Sequence, residues 1–199
     1  DAFNLIAPGL YLGRFPLWMP RLCSLKSCDP LPLEQVAIVD MCAEFPALPW
    51  IVEQTRGQYW CLPCLDGDMP EDKLSMLHAA REVAKLDESQ SVFVHCANGR
   101  GRSLCFAALV LALRNETQVH QEGASFALDA AIATIQKRRP QVCAQPAQRA
   151  LANEVLELHR SSHDIELAKP EVVPSRGSLR RSFGRGSRKA GQVFEFQDT

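Results

Sequence analysis

The run Val94-His95-Cys96-Ala97-Asn98-Gly99-Arg100-Gly101-Arg102-Ser103 links three kinds of sequence. Before it, Ser91 to Cys96 is a short, continuous apolar segment rich in β-branched and aromatic residues, which predicts a buried strand. Asn98 to Gly101 is a glycine-rich turn. After it, Leu104 to Leu113 is strongly apolar and helix-prone, which predicts a buried helix. A strand therefore delivers Cys96 into a tight loop that opens directly onto a helix. That geometry aims several backbone N–H groups and a helix N-terminus at one point, where an anion such as phosphate would sit. The same positive field favours the thiolate form of Cys96, and a thiolate at the floor of a phosphate cradle is a nucleophile aimed at phosphorus. Arg102 lies six positions after Cys96 and can fold back over the loop. Its planar fork fits two phosphoryl oxygens. Ser103 can donate to the thiolate and help it leave in a second step.

The flanking sequence predicts an α/β layered fold, a small and mostly parallel sheet flanked by helices. Phe3 to Gly13, broken by Pro8-Gly9, reads as one or two strands at a sheet edge. Val36 to Cys42 is a buried strand, and Gln58 to Cys64 another. Helical spacing runs over Glu71–Glu88, Glu122–Lys137 and Ala147–His159. Residues 14–34 hold four prolines and read as a surface loop. From about 162 the pattern changes to Pro, Gly, Ser and a cluster of arginines, Arg176, Arg180, Arg181, Arg185 and Arg188, with Lys189. The domain is thus expected to end at 161, with 162–199 a basic, disordered tail. That tail is either a solvated end or an interaction or membrane-surface patch.

Composition excludes several classes. The chain has 199 residues, a net charge of −1 and 46% hydrophobic residues, ordinary values for one globular domain and not for a basic nucleic-acid binder. Residues 1–161 carry 15 basic and 18 acidic side chains. The eight cysteines, 23, 28, 42, 61, 64, 96, 105 and 143, occur in a long chain without a secretory signal. They are expected to be reduced thiols in a cytoplasmic protein. Cys23-x₄-Cys28 and Cys61-x-x-Cys64 could supply four zinc thiolates, but positions i and i+3 of a strand face opposite ways. No metal and no cofactor are expected.

His95 to Ser103 matches every fixed position of a known signature: His-Cys, five residues, Arg, then Ser or Thr. On these residues the chain resembles the protein tyrosine phosphatase superfamily. Within it the chain resembles the small dual-specificity phosphatases, a resemblance that takes in Tyr11-Leu12-Gly13 and Arg139-Pro140. The resemblance covers roughly residues 3–160, which is short for the tyrosine-specific domains, and no phosphotyrosine loop is found. It implies Cys96 as nucleophile, with Ala97, Asn98, Gly99, Arg100, Gly101 and Arg102 holding phosphate. It also implies an Asp about 30 residues before the cysteine as general acid. Asp66, after Leu62-Pro63, matches that position. Asp68 is its rival, and both could instead cap the following helix. His95 is implied to brace the loop; otherwise it packs in the core. The implied substrates are phosphotyrosine and phosphoserine/threonine in proteins.

Two further features point past proteins. Met41-Cys42-Ala43-Glu44 resembles the phosphatase-and-tensin type of lipid phosphatases. This implies that Cys42 lies near enough to Cys96 to trap it as a disulfide; otherwise Cys42 is a small buried hydrophobe. Arg100, a basic residue inside the loop, is similar to that of enzymes acting on inositol or glycerol phospholipids, although Ala97 stands where those carry a second basic residue. Phosphoinositide head groups, with the basic tail on an anionic membrane surface, are the alternative substrate class.

Overall fold

The computed structural model describes residues 3–15, 36–45, 49–55 and 58–167. The surface loop expected over 14–34 falls almost wholly outside them, as do Cys23, Cys28 and the basic tail beyond Leu167. Five strands form one sheet: β1 (Phe3–Ala7), β2 (Leu10–Arg14), β3 (Val36–Cys42), β4 (Tyr59–Cys64) and β5 (Ser91–Cys96). Their order is β1-β2-β5-β3-β4. Only β1 and β2 pair antiparallel; the other neighbours are parallel. The sheet is therefore mostly parallel, and β5 is its central strand.

β3 and β5 are buried at every position, which explains their unbroken apolar runs. Their side chains still alternate between faces. Val39, Met41, Val92, Val94 and Cys96 join the main core, while Val36, Ile38 and Phe93 form a small second cluster with Phe3, Tyr11 and Tyr59.

Helix α1 (Pro49–Gln54) has no counterpart in the sequence reading. Helix α2 runs Lys73–Lys85, tighter than the expected 71–88. Asp72 caps it, its carboxylate accepting from the Leu74 and Ser75 N–H groups at 3.0 Å. Helix α3 (Arg102–Arg114) is almost wholly buried and packs on β2, β5 and helices α2, α4, α5 and α6. The helix expected over 122–137 is α5 (Ala124–Arg138), and a short helix before it, α4 (Glu116–Glu122), has no counterpart in the sequence reading. Gly123 separates them at φ +92°, a conformation that breaks a helix. The last helix, α6 (Pro146–Leu167), continues past 161, where the sequence pattern puts the end of the domain. The first compact unit extends to Ala168. Among the described residues, no helix is long and apolar enough to cross a membrane.

Candidate active site

Cys96 ends the central strand, so the loop that follows leaves the sheet at the carboxyl end of its parallel strands, where open α/β sheets place their ligands. The loop is held by its neighbours. The Phe15 N–H donates to the Cys96 carbonyl at 2.6 Å and to the Ala97 carbonyl at 3.2 Å. Gly99 has φ +63°, and a Cβ there would meet the Gly13 carbonyl carbon at 2.3 Å. Only glycine fits. Arg139, buried on the far side, donates from Nε to the Gly99 carbonyl at 3.1 Å.

The loop passes into α3 through Gly101, an N-cap that makes no side-chain hydrogen bond. The first N–H groups of α3 thus carry no side-chain cap. The Cys96 Sγ is 3.2 Å from the Ser103 Oγ.

Arg102 is fully buried, and its guanidinium is fixed from one side. Nη1 donates to the Glu44 carboxylate at 2.8 Å, to the Cys64 carbonyl at 2.6 Å and to the Met41 carbonyl at 3.4 Å. Burial opposes its charge, but the Glu44 hydrogen bond and the nearby Cys96 outweigh that and hold its pKa above the usual value. The same bond holds the Glu44 carboxyl below the usual carboxylate range. Among the described residues, Nε and Nη2 have no hydrogen-bond partner. Nη2 lies 3.3 Å from Asp66 Oδ1.

Asp66 is 68% exposed on the loop after β4. Asp68 is also exposed, and its carbonyl accepts from the buried Gln148 side chain at 3.1 Å. Gln148 also lies against the phosphate loop, since a Cβ on Gly101 would sit 2.4 Å from its Oε1. One side chain of α6 thus touches both the acid loop and the phosphate loop. An open cleft of about 600 Å³ runs beside the acid loop between Ala43, Leu65, Asp68 and Leu151.

His95 packs in the core, the second of its two expected roles. Strand alternation turns it to the face opposite Cys96, where its ring stacks on Phe93 and meets Phe15 edge-on. Among the described residues it makes no hydrogen bond to the loop. Burial lowers its pKa to about 4, with Asp40, 3.7 Å away, pulling the other way. The ring is therefore neutral near pH 7 and acts by packing. Asp40, Cys42 and His95 bring three ligand-type atoms within 4.8 Å of one another. The Asp40 carboxylate is already engaged, by the Tyr59 hydroxyl at 2.6 Å and the Cys42 N–H at 2.8 Å.

Cys42 and Cys64 are Cα partners on β3 and β4, both buried. Burial pushes each thiol up to about 12, and both feel the charge of Cys96. Cys61 is exposed where Cys64 is buried, as opposite strand faces require. The six described cysteines are free thiols.

The protein-tyrosine phosphatase family model matches residues 50–157, more than half of the chain. The chain belongs to that family. It is accordingly a phosphatase, a hydrolase that acts on phosphorylated substrates. No curated protein matches it in sequence. Similar solved structures include PTPMT1 in complex with PI(5)P, at TM-score 0.57 and 21% identity over 82% of this chain and 99% of that one. They also include Tk-PTP in its active form, at 0.56 and 20% over 79% and 97%. Human DUSP28 matches at 0.53 and 21% over 80% and 96%. At these identities the likeness is one of fold. The dual-specificity architecture is thus the one the sequence motifs implied.

Three contributors to the site escaped the sequence reading as parts of the site: Phe15, Glu44 and Gln148. Glu44 lies 58 positions from Arg102, a separation that carries no sequence signal.

Proposed function

We propose that this chain hydrolyses phosphomonoesters through a phosphocysteine intermediate, acting on phosphotyrosine and phosphoserine/threonine in proteins. Cys96 attacks phosphorus. Arg102, through Nε and Nη2, and the amides of Ala97, Asn98, Gly99, Arg100 and Gly101 hold the phosphoryl oxygens and stabilise the charge that develops on them. Asp66 protonates the leaving oxygen, then serves as base for the water that cleaves the phosphocysteine. Ser103 donates to the departing thiolate. His95 positions the end of β5 by packing.

One observation carries this reading. A cysteine sulfur and a serine hydroxyl stand 3.2 Å apart where β5 and α3 meet, and the Arg102 guanidinium of the same loop is held by Glu44 on one edge while its other edge faces Asp66 at 3.3 Å. With that much positive charge at the loop, the mechanism needs no metal. The domain that performs it spans roughly residues 3–167.

A second reading keeps the chemistry and moves the substrate to a phosphoinositide or other phospholipid head group. Arg100, exposed inside the loop, favours it, and so does the fold shared with PTPMT1, solved with PI(5)P. Phosphate release from a phosphotyrosine peptide, a phosphothreonine peptide and a soluble phosphoinositide decides between them, with Cys96→Ser as the blank. Peptide turnover that vanishes in the blank is the expected result. Turnover that survives Cys96→Ser sinks the mechanism. Lipid turnover without peptide turnover selects the second reading.

A further inference from the structure

The acid loop has little structure of its own. Between the end of β4 and the buried Met69 it is an exposed turn, closed by one hydrogen bond from the Asp68 N–H to the Leu65 carbonyl at 3.1 Å. A proton donor on such a turn is only as well placed as the turn itself. Two backbone carbonyls tie the turn down, and they flank Asp66, two residues before it and two after. The Cys64 carbonyl accepts from Arg102 Nη1 at 2.6 Å. The Asp68 carbonyl accepts from Gln148 Nε2 at 3.1 Å, across 80 positions of sequence. The first anchor is the arginine that holds the phosphoryl group. The second comes from α6, far outside the signature.

Gln148 is buried, at 2% exposure. Its Oε1 accepts from the Gln145 N–H at 3.0 Å, so both polar atoms of the amide have a partner. The same amide lies on the phosphate loop: a Cβ on Gly101 would stand 2.4 Å from Oε1 and 3.1 Å from Nε2. Gly101 is the residue before Arg102. Gln145 lies over the tip of the acid turn, where a Cβ on Gly67 would be 3.5 Å from its Oε1. The residue type follows from the partners. One carbonyl needs a donor and one N–H needs an acceptor. A neutral amide serves both; a carboxylate lacks the donor, and an aliphatic chain lacks both.

We propose that Gln148 is a positioning residue for the general acid: its amide pins the acid loop, at the Asp68 carbonyl, to the phosphate loop, at Gly101, and so sets where the Asp66 carboxylate stands. The proposal rests on the phosphocysteine reading with Asp66 as acid. Asp66 hangs between the two anchors, its Oδ1 3.3 Å from Arg102 Nη2. Releasing the Asp68 anchor lets the carboxylate drift from the leaving oxygen. The phosphate loop keeps its own supports, the Phe15 N–H on the Cys96 and Ala97 carbonyls and Arg139 Nε on the Gly99 carbonyl. The loss therefore falls on proton transfer and spares the attack on phosphorus. Gln148 is too deeply buried to meet the substrate, and its effect reaches the reaction through Asp66.

Steady-state kinetics of the full chain test this on two substrates, a phosphotyrosine peptide and an activated aryl phosphate whose leaving group departs unprotonated. Gln148→Met keeps the length of the side chain and removes both polar atoms. Its kcat on the peptide is expected to fall about tenfold, the contribution of one hydrogen bond, with KM little changed. Its kcat on the aryl phosphate should fall by less than about threefold. Gln148→Glu keeps the acceptor for Gln145 and loses the donor to Asp68, so it should match Gln148→Met. Wild-type rates in Gln148→Glu would overturn the proposal, because the amide would then only cap α6. Added to Asp66→Asn, Gln148→Met should cause no further loss on the peptide, since both act on one proton transfer. A further loss there would overturn the proposal. So would equal losses on the two substrates in variants that keep the wild-type circular dichroism, because Gln148 would then support the phosphate loop. A peptide rate untouched by Asp66→Asn removes the acid and the proposal with it. A normal Asp66→Asn defect beside an unaffected Gln148→Met removes the proposal alone.

Discussion

Arg102 donates from Nη1 to the Glu44 carboxylate at 2.8 Å, across 58 positions of sequence. The bond leaves the other edge of the guanidinium directed toward the loop. Glu44 is thus a positioning residue: it touches no reacting atom and orients one that does. Glu44→Ala is expected to lower kcat by about ten- to a hundredfold, the loss of one hydrogen bond between charged groups. Glu44→Gln, which keeps an acceptor, should recover part of it. Wild-type kcat in Glu44→Ala would refute the assignment.

Asp66 and Asp68 separate by leaving group. Asp66 lies 3.3 Å from Arg102, while the Asp68 backbone is bonded to Gln148. Asp66→Asn should slow turnover of a phosphotyrosine peptide by about 10²-fold or more, and much less for an activated aryl phosphate that leaves unprotonated. Asp68→Asn should leave both within about threefold. The reverse pattern would transfer the acid role to Asp68.

His95 makes stability depend on pH. Its pKa is about 4 in the folded chain against an ordinary 6.5. Between those values the unfolded chain binds the proton and the folded chain does not, so stability rises with pH there. Lowering the pH from 7 to 4 should remove up to roughly 3 kcal/mol through this residue. Urea melts of the wild type and His95→Asn across that range read it as a difference in slope. Parallel profiles would contradict it.

Peroxide should lock the nucleophile into a disulfide with Cys42. Oxidation of the Cys96 thiolate gives a sulfenic acid, and attack by a neighbouring thiol releases water. Cys42 is the expected partner, and its buried thiol, raised to about 12, must lose its proton as it reacts. Peptide mapping should find Cys42 joined to Cys96. A Cys64–Cys96 peptide, or reversible inactivation that survives Cys42→Ser, would dismiss Cys42.

Gly99→Ala tests the loop itself. At φ +63°, with a Cβ 2.3 Å from the Gly13 backbone, alanine forces the loop off β2. A loss of about 2–5 kcal/mol is expected, combining backbone strain with overpacking. An unchanged denaturant midpoint would mean that the loop moves freely from β2.

The sequence carries the parts of this site that follow local rules. β3 and β5 are continuous apolar runs because both their faces are covered. The cradle from Cys96 to Arg102 is contiguous, and Asp66 follows a recognisable Leu62-Pro63. Gly123 could have set the start of α5, since a glycine between two segments is a stop signal. The orientation of His95 was also legible: if Cys96 faces the helices, its strand neighbour must face away. Glu44 and Gln148 are different. Each reaches the site through a tertiary contact, an ion pair across the sheet for Glu44 and helix docking for Gln148, and no spacing in the chain encodes it.

Arg102 is also among the largest fully buried side chains of the domain. Its removal leaves a cavity and an unpaired Glu44, and takes a donor from the Met41 and Cys64 carbonyls. Catalysis and solvency of the fold therefore share one residue. A descendant of this enzyme cannot lapse quietly into a catalytically dead scaffold by mutating Arg102. The change would surface first as scarcity of the protein in the cell, with misfolded copies cleared before their silence as catalysts could be noticed. Retirement from catalysis is open through Asp66, whose exposed side chain the fold can do without.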